Sequence, residues 1–137
     1  MLRSLLGYLG YAEGWASYAQ YYSAKYFEGT EQEKLAYKIE CLLDKAKTYL
    51  GTLIDIEINY YGKSKEQLYA DPVYSAVIND YMYQYFIDNP ANYASYGYGN
   101  YKMEQLRYAF VGSDYDFHLY VLQAGPTTFE ILAKYMQ

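Results

Sequence analysis

TEQEKLAYKIECLLDKAKTYLGTLIDIEINYYG, residues 30–62, is the stretch that decides the fold. It opens on Thr30 with Glu33 three residues later, the reciprocal pair of a capping box, in which each side chain bonds the other residue's backbone N–H. Leu35, Ile39, Leu42, Ala46, Tyr49, Leu53, Ile56 and Tyr60 then recur in alternating steps of four and three. That spacing sets one apolar stripe along one helical face. Leu43, Leu50 and Ile54 widen it, so the helix is expected to be central, with the stripe turned inward. Gly62 is suited to the position just past a helix C-terminus, because glycine adopts a left-handed backbone without a Cβ clash. A helix over about 31–61 is roughly 45 Å long at 1.5 Å per residue. It predicts an all-α single domain of about six or seven helices built around this spine.

Working outward, a first helix is expected from about Ser4 to Tyr26, rich in small residues around Gly14. A glycine inside a helix costs roughly 1 kcal/mol against alanine, so Gly14 points to a close approach or a functional need. After the spine, Ser64 with Gln67 starts a short third helix. Asp71-Pro72 starts a fourth that carries Val73, Ala76, Val77, Tyr81 and Phe86 and ends before Asn89-Pro90. Tyr93 to Gly99 reads as a Tyr/Gly-rich turn. A fifth helix holds Met103, Leu106, Arg107 and Phe110 and stops at Gly112. Asp114 or Asp116 caps a sixth with Phe117, Tyr120, Val121 and Leu122, and Pro126-Thr-Thr opens the last, with Phe129, Ile131, Leu132 and Tyr135.

The chain has 137 residues and a net charge of −5, with Lys and Arg scattered, so it offers no basic groove for nucleic acid. No apolar run is long enough for a membrane span, and the start, Met1 to Gly7, lacks the form of a signal peptide. Twenty-three residues are tyrosine. An apolar ring with a polar tip suits half-buried and interface positions, so this number points to an amphipathic surface or to an ordinary core rim. Cys41 is the sole cysteine and sits in the helical apolar pattern, which predicts a buried thiol and excludes an internal disulfide.

Four segments carry a resemblance. Tyr11-Ala-Glu-Gly-Trp-Ala-Ser-Tyr-Ala resembles the Glu-Gly-Trp-Ala-x-Tyr segment of the bacterial family called domain of unknown function 885. Asp55-Ile-Glu-Ile-Asn-Tyr-Tyr-Gly-Lys-Ser-Lys-Glu-Gln resembles its Asp-x-Gly-Ile-His-x-x-Gly-Trp-Thr-x-Glu-Gln segment. Pro90 to Gly99, with Leu106-Arg107, resembles its Pro-Gly-x-x-x-Ser-Tyr-x-x-Gly and Leu-Arg; Phe117-His118 with Leu122 and Gly125 resembles its Phe-His-x-x-x-Leu-x-x-Gly. The order is the same and nearly the whole chain is covered. The chain departs from the pattern at Glu57, Asn59, Lys63, Ala91 and Leu119.

That family is similar to helical zinc peptidases of the gluzincin kind. The resemblance implies a zinc held by two histidines of a His-Glu motif upstream of Glu-Gly-Trp and by a downstream glutamate, with a peptide as substrate. It makes Glu13 the candidate metal ligand, Tyr96 a candidate catalytic oxyanion donor, and Arg107 and His118 candidate substrate-binding residues, all four converging on one cleft. The His-Glu motif does not occur in this chain, whose one histidine is His118. The resemblance therefore implies the C-terminal portion of such a protein, inactive and without zinc by itself, completed by an N-terminal catalytic portion. Apolar surface left open by that portion predicts self-association, with a homodimer the simplest form. The competing reading is a stand-alone helical interaction module that has lost catalysis.

Each site candidate also has a plainer reading. Glu13 suits an ordinary helical acid, Tyr96 an aromatic rim, Arg107 an ion pair and His118 a satisfied structural histidine. Asp55 and Glu57, two apart on a helix, do not face each other and make a poor acid/base pair.

Overall fold

The computed structural model describes residues 7–136, and within them the chain is all-α. In chain order the helices are α1 (Leu9–Ser23, followed by a 3-10 turn at Ala24–Tyr26), α2 (Glu31–Asn59), α3 (Lys65–Ala70), α4 (Pro72–Ser75), α5 (Asp80–Asp88), α6 (Asn92–Ala109), α7 (Asp114–Ala124) and α8 (Phe129–Tyr135). The expected start at Ser4 lies outside the described residues.

The long helix forms where expected, with both halves of the Thr30–Glu33 capping box made. Gly62 takes φ +68°, and the carbonyls of Glu57 and Ile58 are closed by the N–H groups of Lys63 and Gly62. The Ser64–Gln67 capping box also forms.

Three expectations are corrected. The fourth helix is two, because the Asn79 side chain accepts from the Met82 N–H at 2.8 Å and starts α5 afresh. Local cap bonding of this kind competes with continued helix, and the break swings Ile78 into the core. The residues of the expected Tyr93–Gly99 turn are instead the first half of α6. Ser113, rather than Asp114 or Asp116, caps α7, whereas the last helix opens at Pro126-Thr-Thr as expected, with Thr128 as its N-cap.

The largest correction concerns the face that α2 buries. Leu35, Ile39, Leu42, Leu53 and Tyr60 of the stripe are 59%, 48%, 56%, 51% and 79% exposed. The inward face carries Cys41, Gly51, Thr52, Ile54, Asp55 and Ile58. Polar anchors explain the choice, for they fix the first turn of α6 against this side of α2. Thr52 Oγ1 donates to the Tyr93 carbonyl at 2.7 Å, and the buried Asp55 carboxylate accepts from the N–H groups of Ala91 at 3.0 Å and Ala94 at 3.2 Å. Asp55 thus does from another helix what an N-cap residue does locally, at an end where Ala91 supplies no side-chain cap. Asn59 Nδ2 braces it at 2.8 Å and also reaches the Phe86 carbonyl at 3.0 Å.

Two apolar clusters result. Tyr11, Tyr18, Met103, Leu106, Phe117, Val121, Phe129 and Leu132 join α1, α6, α7 and α8. Ile54, Ile58, Leu68, Ile78 and Phe86 join α2, α3 and α5.

Candidate functional site

The glycines of α1 and α6 set the geometry of the site. A Cβ on Gly14 would lie 2.5 Å from the Gly99 carbonyl carbon, and one on Gly99 would lie 2.8 Å from the Gly14 Cα. The two backbones therefore touch, and only glycine permits it. Glu13 adjoins Gly14, and Tyr96 lies one turn before Gly99, so the seam sets the carboxylate and the phenol side by side. Burial, then the charge of Glu13 and a hydrogen bond to it, holds the Tyr96 hydroxyl above its ordinary pKa. Like any tyrosine phenol, it is protonated at neutral pH and can donate. Both side chains are half-buried, and among the described residues no cation pairs with Glu13.

An open cleft of about 360 Å³ runs from Tyr96 between α1, α2 and α6, lined by Ser17, Gln20, Asp44, Thr48 and Tyr85. Its far end holds Asp44, which accepts from Gln20 Nε2 at 3.1 Å and from the Tyr21 hydroxyl at 3.4 Å. Gln20 is two turns from Glu13, about 10 Å along the helix. The two carboxylates are therefore too far apart to share one ion. Among the described residues no three His, Cys, Asp or Glu side chains come close enough to hold a metal. Glu13 can supply one oxygen ligand, while zinc takes three or four protein ligands, commonly with imidazoles.

Arg107 and His118 lie elsewhere. Trp15, Tyr18 and Tyr22 form the face of α1 roughly opposite Glu13, Ser17 and Gln20, since two residues on a helix are about 200° apart. His118 packs among those rings, with centroids at 5.5 Å from Trp15, 5.7 Å from Tyr18 and 4.7 Å from Tyr22. Its Nε2 lies 3.1 Å from the Tyr18 hydroxyl. Burial lowers its pKa, against the pull of Asp114. Arg107 Nε donates to Asp114 at 2.6 Å, and its other nitrogens reach the carbonyls of Phe110 at 3.3 Å and Gly112 at 3.4 Å. Asp114 also takes Lys25 Nζ at 2.7 Å and the Tyr22 hydroxyl. Bonds from Lys25, Tyr22 and Arg107 hold its carboxyl well below the usual carboxylate range.

The structure therefore brings Glu13 and Tyr96 together and, separately, links Arg107 and His118 through the surroundings of Asp114. It does not join the four in one cleft. Asp114, Asp55 and Asp44 were missed as organisers because each acts on partners distant in the chain, where sequence spacing gives no signal. Cys41 is buried and free, as its place in the pattern predicts. No helix among the described residues is long and apolar enough to cross a membrane. No family model, no curated protein and no solved structure matches the chain.

Proposed function

We propose that this chain is one wall of the cleft of a zinc-peptidase-like protein, with Glu13 as the carboxylate ligand and Tyr96 as the donor to the oxyanion. The observation that carries it is the pairing of these two side chains beside the Gly14–Gly99 contact, next to a cleft that Tyr96 lines and with no cation paired to Glu13 among the described residues. A carboxylate that no salt bridge occupies is available to a ligand, and a phenol kept protonated beside it can donate to developing negative charge. When bound, zinc would polarise a carbonyl and lower the pKa of its water. The imidazoles must come from another segment, since His118 lies on the other face of α1, so this chain by itself is expected to be inactive. Arg107 and His118 serve here as framework for the α1–α6–α7 junction rather than as substrate contacts.

Cobalt tests the reading, because its visible absorption reports ligand number. A helical peptide bearing His-Glu-x-x-x-His, added with the chain, should give a tetrahedral or five-coordinate cobalt spectrum that neither component gives alone and that Glu13→Gln abolishes. The same spectrum with Glu13→Gln would remove Glu13 from the site.

The competing reading, a helical interaction module without catalysis, is favoured by the outward apolar stripe of α2 and by the structural use of Asp55 and Asn59.

A further inference from the structure

Asp44 of α2 lies half-buried at the far end of the cleft that Tyr96 lines. Both of its hydrogen bonds fall on Oδ2, from Gln20 Nε2 at 3.1 Å and from the Tyr21 hydroxyl at 3.4 Å. Both donors are neutral. A carboxylate has about four acceptor sites, and Oδ1 receives no donor among the described residues. Asp114, Glu57 and Glu104 each take a lysine or arginine, whereas no cation of the described residues pairs with Asp44. Lys45, the next residue along, has its ammonium bonded to Glu104 of α6.

The walls of the cleft add to this. Among the described residues that line it, Asp44 is the single charged side chain, and Tyr21, Tyr85, Tyr93 and Tyr96 supply four aromatic rings. Aromatic faces attract cations and offer nothing to an anion. The cleft of about 360 Å³ lies at the lower end of the range for ligand sites, roughly 300–1,000 Å³. One negative charge with an open oxygen, set among phenols with no cation beside it, suits an ammonium or a guanidinium brought in from outside.

We infer that Asp44 anchors a basic side chain, arginine or lysine, of a peptide laid along α1. The peptide as occupant rests on the zinc-peptidase reading; the site for a cation does not. Gln20, which bonds Asp44, is two turns from Glu13, about 10 Å along the helix. An extended peptide advances about 3.3 Å per residue. The basic residue therefore lies about three positions from the bond that sits beside Glu13 and Tyr96. Asp44 thereby selects the substrate without touching the reacting atoms.

Titration of the isotope-labelled full chain with acetyl-Ala-Ala-Arg-Ala-Ala-amide should shift the amide resonances of Gln20, Tyr21 and Asp44. The citrulline peptide has the same shape without the charge and should bind about tenfold more weakly. Asp44→Asn keeps an oxygen for Gln20 and Tyr21, so the contact of α1 with α2 is retained, and it should bring the arginine peptide down to the citrulline value. Equal affinity of the two peptides for the wild-type chain, or no shift at about 10 mM peptide, would overturn the proposal whether or not the variant folds. An arginine preference that survives Asp44→Asn, or that Glu13→Gln removes, would overturn it too, since the cation then sits elsewhere. Methylguanidine bound as tightly as the peptide would overturn the peptide as occupant and assign the cleft to a small free cation. Asp44→Asn should leave unchanged the cobalt spectrum of the chain with the His-Glu-x-x-x-His peptide, so the two readings fail separately. Cobalt ligation without an arginine preference removes the Asp44 site alone, and an arginine preference without cobalt ligation removes the zinc reading alone.

Discussion

The two flanks of α1 hold the same kinds of group in opposite condition. On the Trp15–Tyr22 flank, Asp114 receives Arg107, Lys25 and Tyr22, and His118 is enclosed by rings. On the Glu13 flank, one carboxylate has as its neighbour a phenol that lines an open cleft, and no cation pairs with it among the described residues. A charge whose partners are all supplied by the fold stabilises the fold. A charge left with a single neutral partner near solvent remains free to bind something else. Perturbed groups on the first flank are thus structural, although perturbation alone often marks a functional site.

Both flanks rest on the glycine seam between α1 and α6, so breaking the seam should have the largest effect. Gly99→Val forces side-chain atoms into the α1 backbone. It should cost about 3 kcal/mol or more, with a fall in Tm of roughly 10 °C by calorimetry. Retained wild-type stability would show that α1 and α6 do not touch as described. Next comes the end of α6 that positions Tyr96. Asp55→Ala leaves two N–H groups without their acceptor and should cost about 2 kcal/mol in urea titration, with Asp55→Asn retaining part of the loss.

The saturated flank should also show in the pH dependence. His118 has its pKa lowered in the folded state from an ordinary 6.5, so folding favours the neutral ring. Its contribution is present above that value and is lost as pH falls below it. Tm should therefore decline between pH 7.5 and about 5.5, and His118→Phe should flatten that slope. Asp114, lowered from 3.8, gives a second loss that begins only as pH drops toward and below 4. A Tm that rises on acidification through pH 6 would contradict the enclosed, neutral ring. The smallest effect belongs to the open flank. Glu13→Gln should alter stability by less than about 0.5 kcal/mol, while Asp114→Asn lowers Tm clearly. Equal losses would erase the distinction between the two flanks.

Legibility of the sequence followed the range of the interaction. The two capping boxes, the stop at Gly62 and the burial of Cys41 were readable because each depends on neighbours within one helix. The break at Asn79 was missed because apolar spacing runs through it, although Asn followed by Asp is itself a start signal. Tyr93–Gly99 reads as a turn by composition, yet it is helix because Gly97 and Gly99 are the points where α2 and α1 come into contact. Of the site, the small-residue context of Glu13 gave notice of a close contact. The partner of that contact, and the separation of His118 and Arg107 from it, had no local trace.

By itself the sequence determined that the chain is helical, where most helices begin, and that α2 carries a continuous apolar stripe. These follow from backbone hydrogen bonding and side-chain period, which act over a few residues. Which face of α2 turns inward was decided only in the tertiary structure, where Thr52 and Asp55 satisfy the first turn of α6 and Gly51 lets it approach. Those bonds close the first turn of α6 at an end where Ala91 supplies no side-chain cap, a requirement between distant residues that the apolar spacing of α2 does not express.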